Sequence, residues 1–157
     1  MYKGQIVTLD LVFALTIALS IIFILNSYWG SMQKNMENEQ TQLAVEKAAY
    51  LSGFYLTASQ GAPLEWNRSN AQLIGLANQM NVIDVQRFNE LMQISNGSIS
   101  SYLGIPEFNV FINLTTASGT TINSTGARQS NSSIAVVVPS FVSFNNNLSI
   151  LYVTVWK

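Results

Sequence analysis

Residues 1–25 read MYKGQIVTLDLVFALTIALSIIFIL, and they decide the fold. From Ile6 to Leu25 the side chains are aliphatic or aromatic, apart from Thr8, Asp10, Thr16 and Ser20 and the small Ala14 and Ala18. Twenty helical residues span about 30 Å, the thickness of a bilayer's hydrocarbon core. A cleaved secretory signal expects a shorter apolar run that ends at small residues. This run ends in LNSYWGSMQ (residues 25–33), a poor match to a small-x-small site. The helix is therefore expected to stay on the protein. Lys3 precedes the span and Lys34 follows it, so flanking charge barely votes on orientation.

The helical pattern does not stop at the end of the apolar run. Residues 26–59 lack proline and are rich in helix formers. Tyr28 and Trp29 fall where an aromatic belt would lie, and Gly30 offers a place for a bend. Ala44, Ala48, Leu51, Tyr55 and Ala58 recur at three- and four-residue steps, which predicts an amphipathic back half. One nearly continuous helix is expected from about Ile6 to Ser59. Gly61 is suited to closing it and Pro63 to stopping it.

The remaining sequence predicts a head of the α+β class. QLIGLA (72–77) reads as a short strand, and Trp66 as a ring that locks the turn before it. A second helix starts near Asn81 or Asp84 and buries Val85, Phe88 and Met92, with Leu91 beside them. Ser98 is placed to cap a short turn reaching Tyr102. In FNVFINLTT (108–116), Phe108, Val110, Ile112 and Leu114 share one face, and Asn109, Phe111 and Asn113 the other. TINST (121–125) is its partner, SSIAVVV (132–138) a third strand, and Pro139 an end or an edge. The last run, LSILYVTVW (148–156), is apolar on both faces, which suits a central strand or one covered by a neighbouring subunit. The expected architecture is a long N-terminal hydrophobic helix that continues into an amphipathic helix packed on a C-terminal antiparallel sheet of four or five strands.

Composition narrows the chemistry. Seven basic and eight acidic residues make up 10% of the 157, and no histidine or cysteine occurs. No basic patch exists for nucleic acid. Without cysteine there is no disulfide, thiolate nucleophile or cysteine metal site. Without histidine the commonest neutral-pH base and zinc ligand are missing. The acids Glu37, Glu39, Glu46, Glu65, Asp84, Glu90 and Glu107 show no metal spacing. The sequence expectation is a non-enzyme with no metal and no cofactor.

The short basic leader MYKG followed by QIV resembles the prepilin processing signal of archaeal type IV pilin-like proteins, the class III signal peptide. The resemblance implies cleavage between Gly4 and Gln5, with Lys3 and Gly4 recognised in the leader and Gln5 as the mature N-terminus. Many pilins carry a glutamate at the fifth mature position. Here Asp10 is an aspartate at the sixth, a departure from that pattern. A carboxylate in apolar surroundings needs a charged or hydrogen-bonding partner, and the free amine of a neighbouring Gln5 is the implied one. The simpler reading is a carboxylate at the start of a membrane helix.

Gly61-x-Pro63-x-x-Trp66 followed by Gly75-Leu76-Ala77 is similar to a second block of the same family, so the resemblance covers roughly the first hundred residues. It implies a leader at 1–4, a membrane and filament-core helix at 5–30 and an extracellular head at 31–157. It implies, as partners, a prepilin peptidase, an assembly ATPase with its membrane platform, the bilayer before assembly, and copies of the chain or other pilins afterwards. The expected function is that of a structural subunit of such a surface filament, with a part in adhesion. The alternative is an uncleaved single-pass surface protein with a binding head.

Six Asn-x-Ser/Thr sequons, at Asn67, Asn96, Asn113, Asn123, Asn131 and Asn147, all follow the apolar run. If used for N-glycosylation, they place the head outside the cell. Asn123, Asn131 and Asn147 stand out because loops flank or contain them.

Overall fold

The computed structural model describes residues 3–129 and 134–157. Helix α1 runs unbroken from Lys3 to Ala58, straight through Gly30. Contacts divide the chain into two compact units, Met1–Thr41 and Gln42–Lys157, and α1 contributes to both. In the first unit the described side chains of α1 are exposed on every side up to Gln40.

In the second unit α1 has a buried face. It consists of Val45, Ala48, Ala49, Ser52, Gly53, Leu56 and Thr57, spaced three and four apart. This corrects the expected stripe. Of the five residues assigned to it only Ala48 is fully buried; Ala44 and Leu51 are exposed, and Tyr55 and Ala58 half-buried. The physical reason is clearance. Small side chains let a helix axis approach a sheet closely, and a Cβ added at Gly53 would stand 3.3 Å from Val138 Cγ1. Leu43, Tyr50 and Phe54 consequently face outward.

After α1 come β1 (Ala77–Gln79), β2 (Val82–Ile83), α2 (Val85–Met92), α3 (Ile99–Tyr102), β3 (Asn109–Thr116), β4 (Thr121–Gly126), β5 (Ala135–Phe144) and β6 (Asn147–Trp156). The strands form one sheet in the order β1-β2-β5-β6-β3-β4. The α+β class and the helix-to-sheet order match the sequence reading. The sheet, however, has six strands and is mixed, because β2 pairs with β5 in parallel through Val82–Ser143 and Ile83–Phe144.

Strand β6 is central, as its two apolar faces require. It pairs along its full length with β5 on one side and along most of it with β3 on the other. Leu151, Val153 and Val155 are fully buried and meet Leu114, Ile112 and Val110 of β3 across the ladder. The β5–β6 hairpin closes on Asn145 and Asn146, at φ 50° and 61°. Two consecutive left-handed residues are what a two-residue hairpin turn needs, and asparagine tolerates that conformation.

Pro139 does not end a strand; β5 runs through it. Ser143 turns its N–H away from β6 and donates to the Asn81 carbonyl at 2.8 Å. By the two-residue period of a strand, Pro139 faces the same outer side, where it has no N–H to offer. It thus marks an edge position.

QLIGLA is not a strand. Leu73 makes an isolated bridge with Ala62, and strand structure begins only at Ala77. Ile74 and Leu76 are nevertheless fully buried. The segment is satisfied by the end of α1, with Leu76 N donating to Leu56 O at 3.1 Å and Ala77 N to Ser59 O at 3.0 Å.

Helix α2 is capped by Asp84, whose carboxylate accepts from Gln86 N at 2.8 Å and Arg87 N at 3.1 Å. Asn81 is not the cap; it sits at φ 61° between β1 and β2. Phe88 and Leu91 are buried, Met92 is half-buried and Val85 remains exposed. Ser98 occupies the cap position of α3 but makes no side-chain cap bond.

Candidate functional site

The first candidate site is the apolar front of α1. Residues Asp10–Ala58 contain a stretch long and apolar enough to cross a membrane, and none of its best window is buried within the protein. The polar groups in that stretch divide into two kinds. Thr16 Oγ1 donates to Val12 O at 2.7 Å and Ser20 Oγ to Thr16 O at 2.8 Å, so each hydroxyl is satisfied by the preceding turn. Asp10 is exposed and has no hydrogen-bond or ion-pair partner among the described residues. From Asp10 to Leu25 it is the one charged side chain. Lys3, Gly4 and Gln5 lie in the first turn of α1, which puts the bond between Gly4 and Gln5 in helical backbone.

The second candidate is the clasp that ends α1. Trp66 is 3% exposed, and its Nε1–H lies 3.0 Å from both the Gln60 and the Gly75 carbonyls. Gly61 has φ 81°, and a Cβ there would strike the Trp66 ring. A Cβ at Gly75 would collide with the Ser59 carbonyl oxygen and the Gly61 backbone nitrogen. The Gly61, Trp66 and Gly75 pattern therefore has a structural cause: Gly61 makes room for the indole, Gly75 lets its segment of chain press against the Ser59–Gly61 backbone, and the indole bolts the two segments together. Trp66 locks the turn, as expected, and its ring is not open to a ligand. Arg87 adds to the clasp, donating to Ala77 O at 2.7 Å and Leu64 O at 3.3 Å.

The third candidate is the outer face of the sheet. Its positions on the long strands include Asn109, Phe111 and Asn113 of β3, Val137, Pro139 and Phe141 of β5, and Leu148, Ile150, Tyr152 and Thr154 of β6. None of these is charged. Phe141 is 68% exposed, Leu148 62% and Val137 53%. Neighbouring exposed apolar side chains of this kind suit a contact site. Sequence reading foresaw that β6 is apolar on both sides but not that β5 extends the patch.

The sequons are scattered. Asn67 lies in the loop between α1 and β1, Asn96 between α2 and α3, Asn113 in mid-β3, Asn123 in β4, and Asn147 at the start of β6. Asn131 lies outside the described residues. Asn113 Oδ1 is buried without a partner. Among the described residues no three acidic side chains gather in a way that would hold a metal ion.

No protein-family model, curated protein or solved structure matches this chain. What the sequence and the fold define is a generic pilin-like arrangement: a long apolar N-terminal helix whose back half packs on a β-sheet head.

Proposed function

We propose that the chain is the structural subunit of an archaeal type IV pilus-like surface filament, with a role in adhesion. One observation carries the reading. The first unit is a helix of exposed apolar side chains with a single unsatisfied carboxylate near its start, joined to a head that has its own core. Such a surface needs an apolar surrounding at every stage. Lipid supplies it before assembly and sister helices supply it afterwards.

Energetics gives the machinery a reason. In water, burying a Leu, Ile or Phe side chain is worth about 1.5–3 kcal/mol. Moving the same side chain from lipid to a helix bundle gains none of this, because lipid tails are just as apolar. Close packing and polar pairing must stabilise the filament, and leaving the bilayer must be driven. An assembly ATPase and membrane platform fit that requirement. Asp10 of one subunit against the amine of a neighbour's Gln5 would supply the polar pairing. The uncharged outer sheet face, bearing Phe141 and Leu148, suits contact between subunits or with a foreign surface.

The test is the mass of the native N-terminus, together with the fate of a Gly4→Phe variant. Cleavage by a prepilin peptidase leaves Gln5 first, blocks in the variant, and puts the chain in sheared filaments. A chain that begins at Met1 or Tyr2 and stays in the membrane would establish the alternative, an uncleaved single-pass anchor with a binding head. That alternative draws on α1 beginning at Lys3, since the bond between Gly4 and Gln5 must unwind from the first turn before a peptidase can cut it. Asp10→Ala should lower filament yield more than it lowers membrane insertion.

A further inference from the structure

The hydroxyl residues of the sequons separate sites that look alike in the sequence. A transferase that builds an N-linked glycan reads both the asparagine amide and the Ser/Thr two residues on. Thr115, which completes the Asn113 sequon, is 5% exposed, and its hydroxyl lies 3.4 Å from the Ile150 carbonyl. Thr125, completing that of Asn123, is 8% exposed, and Ser149, completing that of Asn147, is 1% exposed. All three hydroxyl residues lie in the sheet. The sequon of Asn96 is partly tied down, since Asn96 Oδ1 accepts from Gly126 N at 3.2 Å.

Asn67 differs from these. Asn67, Arg68 and Ser69 are all exposed. Asn67 Oδ1 accepts from Ser69 N at 2.8 Å, which turns the amide and the hydroxyl residue toward each other. That bond uses the oxygen and leaves Nδ2 without a partner among the described residues. The loop is held rigidly. Arg68 N donates to Glu90 Oε2 at 3.2 Å, Arg68 Nη1 to Gln93 Oε1 at 3.1 Å, and the buried Trp66 anchors the preceding residue.

A cleft of about 580 Å³ starts at Asn67 itself. Its walls include Glu65, Asn67, Gln86, Asn89 and Glu90. Gln86, Asn89 and Glu90 are three and four apart on α2, so they share one helical face. The amides and carboxylates on that face can hydrogen-bond the hydroxyl groups of a sugar, and Arg87, the exposed Leu64 and the buried Trp66 also line the cleft. A covalently attached sugar needs little affinity, because its effective concentration at the cleft is already high.

We infer that Asn67 is where the folded head accepts an N-linked glycan, and that the cleft beside it seats the first sugars. The donor class is a lipid-pyrophosphate-linked oligosaccharide presented by a membrane transferase. A bond forms between Asn67 Nδ2 and the anomeric carbon. The bond from that carbon to the pyrophosphate oxygen breaks, and the pyrophosphate leaves with the electron pair. Nδ2 gives one proton to a base of the transferase. The inference rests on the reading that the head is exported.

Trypsin separates Asn67 from the other sequons in protein purified from its own cells, and fragmentation of the peptides assigns the rest. Asn67 falls on residues 48–68, or on 48–87 where a glycan blocks cleavage at Arg68. Asn96, Asn113 and Asn123 fall together on residues 88–128. The expected result is a sugar mass on the Asn67 peptide that is lost in Ser69→Ala and kept in Ser69→Thr. A bare Asn67 peptide overturns the inference, as does occupancy of Asn113, Asn123 or Asn147 in its place. The seat has its own readout: Gln86→Ala with Asn89→Ala should keep occupancy and speed enzymatic release of the glycan several-fold. An unchanged release rate sinks the seat. Filaments that begin at Gln5 with a bare Asn67 would end this inference and leave the filament reading standing. A glycosylated Asn67 on a chain that keeps Met1 would do the reverse.

Discussion

The two halves of α1 share one backbone geometry and differ in everything their side chains do. From Leu11 to Leu25 large apolar residues such as Phe23 (73% exposed) point outward on all sides, and a mostly polar stretch follows to Gln40. From Val45 to Thr57 the inward face is small, and Val45, Ala49 and Leu56 reach zero exposure. The front half depends on surroundings it does not contain, whereas the back half carries its surroundings with it. Helix propensity does not draw this distinction, since the β-branched and aromatic residues of the front half rank below the alanines of the back half and both halves are helical. Side-chain size does. A helix that must pack on a sheet in its own chain narrows its contact face, and one that meets lipid or copies of itself can stay bulky all round.

That contrast can be broken in order of severity. The largest effect should come from Gly75→Val. A side chain there collides with the Ser59 carbonyl and the Gly61 backbone, which are not flexible ends. A loss of about 3 kcal/mol or more in head stability is expected. Denaturant unfolding of the full chain in detergent would measure it, and the front of α1 should stay helical by circular dichroism.

Next is a matched pair. Leu56→Ala should cost about 2–5 kcal/mol, the usual range for a fully buried leucine. Leu19→Ala, at an exposed position of the front half, should change head stability by less than about 0.5 kcal/mol. Equal losses in the two variants would erase the distinction between the halves. The smallest effect belongs to Gly53→Ala. The gain in helix propensity is about 1 kcal/mol, and it opposes a 3.3 Å contact with one methyl of Val138. A net change within about 1 kcal/mol in the same unfolding curves is expected. A much larger loss would mean that the helix and β5 are packed too tightly for Val138 to yield.

These residues also show how much of the fold the sequence discloses. The existence and length of α1 are legible because composition and the lack of proline speak for more than fifty residues at once. The centrality of β6 is legible because only a covered strand is apolar on both faces. The buried face of α1 is not, since hydropathy ranks Leu51 above Ala49, Ser52 and Gly53. The sheet selects for clearance, a property of two elements together. The same holds for QLIGLA, whose β-like residues are claimed by the end of α1, and for β2, which is too short at two residues to announce a parallel pairing. Among the candidate sites, the apolar front and Asp10 are visible from residue type alone. The difference between the Asn67 sequon and the Asn147 sequon is not, because it lies in whether a serine two positions on turns into the sheet.

Pro139 carries a consequence of its own. β2 covers β5 only at Ser143 and Phe144, so the rest of that strand margin is open, and open margins tend to zip into endless cross-β growth. A pyrrolidine ring at the middle of β5 denies any incoming strand a complete ladder on that side. That margin of β5 is thereby closed to edge-to-edge recruitment into amyloid.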